Sequence, residues 1–486
     1  MRIDAVKPVH INIPLRQNLK IESFIGEMNR GIIIGIVVAI LILAGLAYFL
    51  ALQAPPQPPT QTPKTTTTQP TPTSTPSPTP TSPATSQYKW QLVGMYISAE
   101  DKVARGTPPP QTPPQGYLTP VIVNVQPTQA QTVVEIGVLQ PLSGRLASLG
   151  ELAAAAARLA EQDVNAYLTK INATFRVRVV VADTAADPTK ALDQMKALHS
   201  RGIKFYIVRT SGEVRAMKSY ADENKLLVIS VSSTAPALAI PGDYVFRLPP
   251  DDTKQVKAIS KVLQDDGIKA VVVIWRNDDW GNGLVKGLED MAKSRGFEVI
   301  RASSYDPQKG EFSTEVSVLA QKVKDVVAKY GADKVAVAAF GFAELQTIFI
   351  TAKNYPELAQ VRWYGADGST GLSELLVPAA AEFAVKVGGF VSPKFAPARS
   401  VYYDRVRNYI LSEYKREPDS YAYNAYDAVW LITYSILQAG SADSERVWQV
   451  FPQVAAKYFG ASGYTKLNEA GDRESGDYEI WAIVKS

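Results

Sequence analysis

The sequence predicts an α/β protein with two successive lobes, each a parallel sheet sandwiched by helices, from about Val133 to the C-terminus. Three observations lead there. Short apolar runs such as VVEIGVL (133–139), AVVVIW (270–275) and KVAVAAF (334–340) read as strands buried on both faces. Segments of helical length and period separate them, which is the order of βαβ units. The alternation then starts again near residue 252, so two lobes in succession are expected.

In the first lobe, strand 133–139 is followed by the Ala-rich helix ELAAAAARLAEQDVNAYL (151–168) and strand FRVRVVVAD (175–183). Asp187-Pro188 then places a cap and a first-turn proline at a helix start. Strand IKFYIV (203–208), a helix through Ala216 to Asn224 and strand LLVIS (226–230) follow. The second lobe reads as helix 253–265, strand 270–275, helix GLVKGLEDMAKSRG (283–296) and strand FEVIRA (297–302). A long helix (312–330), strand 334–340, helix AELQTIFITAK (343–353) and strand VRWYG (361–365) continue it. Segments at AVKVGGFVS (384–392), a helix around Tyr421–Gln438 and a last strand YEIWAIV (478–484) complete the two lobes.

The N-terminal quarter differs in kind. Residues 31–54, GIIIGIVVAILILAGLAYFLALQA, carry no charge and at about 1.5 Å per residue reach across a hydrocarbon core of roughly 30 Å. Arg2, Lys7, Arg16, Lys20 and Arg30 precede the run and no Lys or Arg follows until Lys64, so residues 1–30 are expected in the cytoplasm and the rest outside. Arg30-Gly31 resembles the cleavage site of archaeal pilin-like signals; cleavage there leaves the apolar anchor attached. Residues 55–87 are almost entirely Pro, Thr, Ser and Gln, an extended stalk of about 100 Å at roughly 3.1 Å per residue. Residues 88–132 read as an irregular or β extension, with WQLVGMYI and TPVIVNV as two strands around GTPPPQTPPQG.

Composition removes several function classes. With 51 basic and 47 acidic residues and no basic stripe, nucleic-acid binding has no electrostatic support. The chain has no cysteine, hence no disulfide, thiolate nucleophile or lipid-bearing cysteine anchor. Its two histidines, His10 in the tail and His199 on a helix face, leave little for acid–base or metal chemistry. GNGLVKG (281–287) lacks the spacing of a nucleotide-binding loop. No cofactor or metal is expected. Asn172-Ala173-Thr174 is a glycosylation acceptor, in keeping with an external face.

Open α/β sheets bind ligands beyond the carboxyl ends of their strands. Here those ends run into PLSGRLASLG, VRTSGE, SVSSTAP, RNDDWGNG, FGFAE and GADGST. If both lobes face these loops to one cleft, the small hydroxyl residues Ser232, Ser233 and Thr234 cap a helix, hold a ligand anion, or do both.

The ordered series IGVLQPLSG (136–144), ADTAADPTKAL (182–192), VISVSSTAPAL (228–238), VFRLPPDD (245–252), DDWGNGL (278–284), FSTEV (312–316), YGADG (364–368) and AYNAYDAV (422–429) resembles the type I periplasmic binding proteins of the branched-chain amino acid and amide class, in a membrane-anchored, archaeal-like form. These serve ATP-driven importers. The resemblance covers about residues 133–486 and implies a two-lobed Venus-flytrap fold joined by three crossovers. Lobe 1 would hold 133–251 and 392–475, and lobe 2 252–391 and 476–486. It also implies that Ser211, Ser232, Ser233 and Thr234 bind an amino-acid head group, that Asp367 neutralises its ammonium, and that Trp280 replaces the family's usual tyrosine. A further aromatic falls near Phe340–Phe342, taken as Phe342. Leu149 and Arg209 depart from the pattern. Asp367 alone also reads as a turn aspartate and Trp280 as a packing residue, while Arg209 is expected to pair with Glu213 on the surface.

The function so implied is non-enzymatic: an extracellular receptor, anchored in the cell membrane through residues 31–54, that captures an amino acid or amide by lobe closure. It would deliver that solute to an ABC permease and its ATPase. A ligand-sensing receptor on the same fold, and a structural surface protein reusing it, are the alternatives.

Overall fold

The described chain begins with a strand whose partner is almost four hundred residues away. The computed structural model describes residues 87–128 and 132–486. The tail, the apolar run 31–54 and the stalk, apart from Gln87, lie outside the described residues; among those described, no helix is long and apolar enough to cross a membrane. Strand β1 (Tyr88–Ile97) is followed by β2 (Lys102–Ala104), which pairs back on it. The expected second strand at TPVIVNV does not form. That stretch follows Pro120 without a sheet edge to join, and Ile122 and Val125 remain exposed.

The first sheet is built from β3 (Thr132–Gln140), β4 (Phe175–Asp183), β5 (Phe205–Val208), β6 (Leu227–Ser230) and β7 (Val245–Pro250). Helices α1 (Ala147–Lys170), α2 (Pro188–His199) and α3 (Ser211–Asn224) connect them. Asp187 and Thr210 supply the caps of α2 and α3, the latter as a reciprocal capping box with Glu213. Strand β7 escapes the periodicity reading because it ends in two prolines, which cannot donate to a ladder.

The second sheet takes β8 (Ala270–Arg276), β9 (Glu298–Tyr305), β10 (Val335–Phe340) and β11 (Arg362–Tyr364). Around it lie α4 (Asp252–Asp265), α5 (Asp279–Arg295), α6 (Ser313–Tyr330), α7 (Leu345–Ala352), α8 (Pro356–Ala359) and α9 (Pro378–Lys386). Strand β12 (Ser392–Phe395) leads to α10 (Val401–Tyr414), α11 (Ser420–Ala439) and α12 (Ser444–Ala456), which pack on the first sheet. Short strands β13 (Phe459–Gly460), β14 (Gly463–Tyr464) and β15 (Asp472–Arg473) precede the final β16 (Tyr478–Lys485).

The sheet orders are β15-β7-β6-β5-β3-β4 and β11-β10-β8-β9, every pair parallel. Alternation of side chains explains why both faces are buried. In β8, Ala270, Val272 and Ile274 join the core under α6, α7 and α9, while Val271, Val273 and Trp275 face α4 and α5. The latter core also takes in α2 and α3, so one apolar cluster runs across both sheets. Alanines 153, 156, 157 and 160 of α1 share a third core, built on the first sheet, with α11, which is buried from Ser420 through Ile436. The helix is buried all round; its interior Asn424 donates to the Val231 carbonyl and its Asp427 accepts from the Tyr458 hydroxyl.

The segments passing between the two sheets form a third, antiparallel sheet, β12-β16-β1-β2. Strand β1 runs beside β16 from Tyr88 opposite Lys485 to Tyr96 opposite Tyr478. The N-terminal extension is thus a regular part of the connection between the sheets.

Candidate ligand-binding cavity

In each parallel sheet the connections reverse direction at one point, between β3 and β5 in the first and between β8 and β10 in the second. Loops splay apart there and leave a crevice. The two crevices meet. A cavity of about 30 Å3 is lined by Leu146 and Leu149 after β3, Arg209, Thr210 and Ser211 after β5, and Ser232 after β6. From the second sheet come Trp280 after β8, Phe342 after β10, and Asp367 and Gly368 after β11; Lys394 of β12 and Tyr421 at the start of α11 complete it.

Five residues selected from sequence therefore line one space: Ser211, Ser232, Trp280, Phe342 and Asp367. Ser233 and Thr234 do not. The Ser233 hydroxyl lies 3.0 Å from that of Ser211, behind the wall, and Thr234 is buried beside Asp252, whose N–H donates to the Thr234 carbonyl at 2.8 Å. The hydroxyls serve mainly to shape the loops: Ser230 and Ser232 both donate to the Arg209 carbonyl, at 3.0 and 2.9 Å.

Trp280 packs against Phe342 with ring centroids 5.1 Å apart, and the Arg276 guanidinium stacks on the Phe342 ring at 3.8 Å. Arg276 is held in turn by Asp278 and Glu344, at 2.6 and 2.8 Å. Gly368 is required here. A Cβ at that position would stand 2.5 Å from the Phe342 ring and 2.8 Å from Trp280.

Asp367 is 2 % exposed and more than a turn residue. Its Oδ1 accepts from Gln255 Nε2 at 2.9 Å, its backbone N–H donates to Gln255 Oε1 at 2.8 Å, and its Oδ2 accepts from the Tyr421 hydroxyl. Burial raises its pKa above the ordinary carboxylate range, against the hydrogen bonds from Tyr421 and Gln255 and the charge of Lys394. Gln255 also donates to Asp252 at 2.6 Å. Burial, reinforced by the Asp367 charge, pushes Asp252 well above its usual range.

Arg209 corrects the expectation of a surface pair with Glu213. It is 2 % exposed, and its Nη2 donates to Asp419 at 2.8 Å. The reason is local: Glu213 already accepts from the Thr210 N–H at 2.6 Å in the capping box, so the guanidinium turns inward. Asp419 also takes the Lys394 ammonium at 3.1 Å. Burial opposes ionisation of Asp419, yet Lys394 and Arg209 overcome it and hold the carboxyl below its usual range.

Lys394 and Tyr421 are the lining residues that sequence reading missed. Lys394 is a lone cation in an apolar strand, VSPKF, and a buried lysine needs partners. It finds the Thr370 carbonyl at 2.8 Å, Asp419, and the Tyr421 ring at 4.8 Å. Tyr421 adjoins the AYNAYDAV motif, which marked the helix but not the cavity.

Residues 152–486 match the family model described as the receptor family ligand binding region. Over 374 residues the chain is 33% identical to an uncharacterized protein of Methanocaldococcus jannaschii, covering 73% of this chain and 88% of that one. It is 24% identical over 356 residues to Leu/Ile/Val-binding protein homolog 3 of Brucella melitensis, covering 72% and 90%. The leucine-binding protein LivK of Thermotoga maritima has the same fold, with a TM-score of 0.61 at 21% identity over 72% of this chain and 99% of that one. The family is a solute-binding receptor class and not an enzyme family. Two parallel sheets meeting at their switch points, together with these matches, show that the chain belongs to the receptor family ligand binding region and has the two-lobed fold of type I periplasmic binding proteins.

Proposed function

We propose that this protein is an extracellular solute receptor of an ABC importer, which encloses an amino acid between its two lobes and passes it to a permease without chemical change. Residues 31–54 would hold it in the membrane with the C-terminal part outside. The observation that carries this reading is the meeting of Asp367 and Arg209 in one cavity, an acid from the second sheet's side and a cation from the first's. A zwitterion carries the opposite pair of charges. Leu146, Leu149, Trp280 and Phe342 supply an apolar wall for a side chain.

The test is calorimetric titration of the full chain in detergent with amino acids, amides, urea and short peptides. A ligand at 100 times its Kd, bound to the folded state alone, adds about 2.7 kcal/mol of stability, so a rise in Tm reports the same event. Binding of one or a few amino acids supports the reading. Binding of none in the panel refutes it. Neighbouring genes for a permease and an ATPase separate transport from sensing.

A further inference from the structure

We propose that Arg209 is the group that takes the ligand's carboxylate, so that this cavity selects free carboxylic acids over the corresponding amides. The inference rests on the solute-receptor reading and narrows it to a chemical class.

Arg209 Nη2 is engaged by Asp419, but Nη1 is buried and has no hydrogen-bond partner among the described residues. The residue lines the cavity and is 2 % exposed. A buried guanidinium nitrogen without a protein partner is costly, and a planar fork with one free arm suits a carboxylate oxygen. The seryl hydroxyls near it are otherwise occupied. Ser211 and Ser233 bond each other, Ser211 Oγ also accepts from the Ala235 N–H at 3.3 Å, and Ser232 donates to the Arg209 carbonyl.

The charges at the cavity agree. Two cations, Arg209 and Lys394, share the single carboxylate of Asp419. Tyr421 bridges this end to the other: its ring lies 5.7 Å from the Arg209 guanidinium and 4.8 Å from the Lys394 ammonium, while its hydroxyl donates to Asp367. An entering carboxylate at Nη1 offsets the surplus positive charge, and an ammonium at Asp367 offsets the negative one. An amide keeps an acceptor oxygen but brings no charge, so it leaves the cation end uncompensated in a dry site.

The experiment compares each amino acid that binds the full chain with its carboxyl amide and with the matching acid that lacks the amino group, such as 4-methylpentanoate for leucine. Wild-type protein should prefer the acid over the amide by about a hundredfold or more. Arg209→Met should bring that ratio to within about threefold of unity, with the loss falling on the acid, because the amide never used the charge. Arg209→Lys, which keeps a cation for Asp419 but not the forked geometry, serves if the Met variant loses its folded circular dichroism; it should weaken the acid by roughly tenfold or more. An unchanged acid-to-amide ratio in either folded variant overturns the proposal, as does wild-type binding of amides or urea with no carboxylate bound. Equal affinity for the acid with and without its amino group leaves Arg209 in place and refutes the amino-acid reading instead.

Discussion

Replacing Asp367 by Asn should separate ligand affinity from stability. The substitution keeps the shape and an oxygen for the Gln255 donor, turns an NH2 toward the Tyr421 hydroxyl, which can accept, and removes the charge. An ammonium enclosed next to a side chain 2 % exposed would then lose its fixed partner. Breaking such a buried pair costs about 3–5 kcal/mol, which is roughly a hundredfold to a few thousandfold in Kd. The unliganded fold should not suffer, because ionised Asp367 is itself strained by burial and lies against Asp252. The pH dependence follows from the same sign. A carboxyl raised in the folded state lowers stability as pH climbs from its unfolded value, 3.8, through its folded one, so Asp367→Asn should flatten that part of the stability curve. Wild-type affinity should fall as the medium is acidified through the raised pKa, and the variant's should not. Titration calorimetry and denaturant unfolding across pH measure both. Wild-type affinity in Asp367→Asn would show that no ammonium sits there, and a large loss of stability with affinity kept would make Asp367 structural.

Three further outcomes are expected. Arg247 and Asp472 are each about 1 % exposed and form a two-point pair at 2.5 Å, with Arg247 Nη1 also donating to the Ala235 carbonyl at 2.7 Å, so Arg247→Met should destabilise the fold by about 3–5 kcal/mol and adding Asp472→Leu should recover much of it in denaturant melts. Burial pushes Asp243 up to about 6, against its Val245 N–H and Lys218 partners; stability from this group is lost as pH rises from 3.8 through about 6, and Asp243→Asn should remove a slope worth about 3 kcal/mol, read from melts at several pH values. Beginning the chain at Thr132 strips β16 of β1 and of buried Tyr88, Met95 and Tyr96, at roughly 1.5–3 kcal/mol each, so light scattering should find that fragment less stable and prone to associate, whereas one beginning at Gln87 stays monomeric.

The parts of the fold legible in the sequence are those set by local pattern. AVVVIW and KVAVAAF read as strands because a strand buried on both faces must be apolar throughout, and the loops after them located the cavity because strand ends in such sheets converge. What escaped depended on distant partners. Arg209 suggested Glu213, four residues away, and the side chain it meets is Asp419, 210 residues on. TPVIVNV has β-branched residues in alternation but no neighbour to pair with, while SPKF and VFRLPP have neighbours and pair despite their prolines. Ser233 and Thr234 stand in the right loop, yet whether a hydroxyl faces a cavity or its own backbone depends on loop geometry that composition leaves open.

Lys394 shows how the site is tied to the connection between the sheets. It sits on β12, which pairs with β16, and β16 pairs with β1. Its ammonium holds the Thr370 carbonyl, from the loop after β11, and the Asp419 carboxylate, at the start of a helix packed on the first sheet. Burial draws the pKa of Lys394 down, so its charge depends on keeping both partners close. Were the two sheets to part, Thr370 and Asp419 would be expected to separate, leaving the buried ammonium one partner instead of two. A single side chain on a connecting strand therefore ties the loop after β11 to the helix packed on the first sheet, and its charge is held by groups from both.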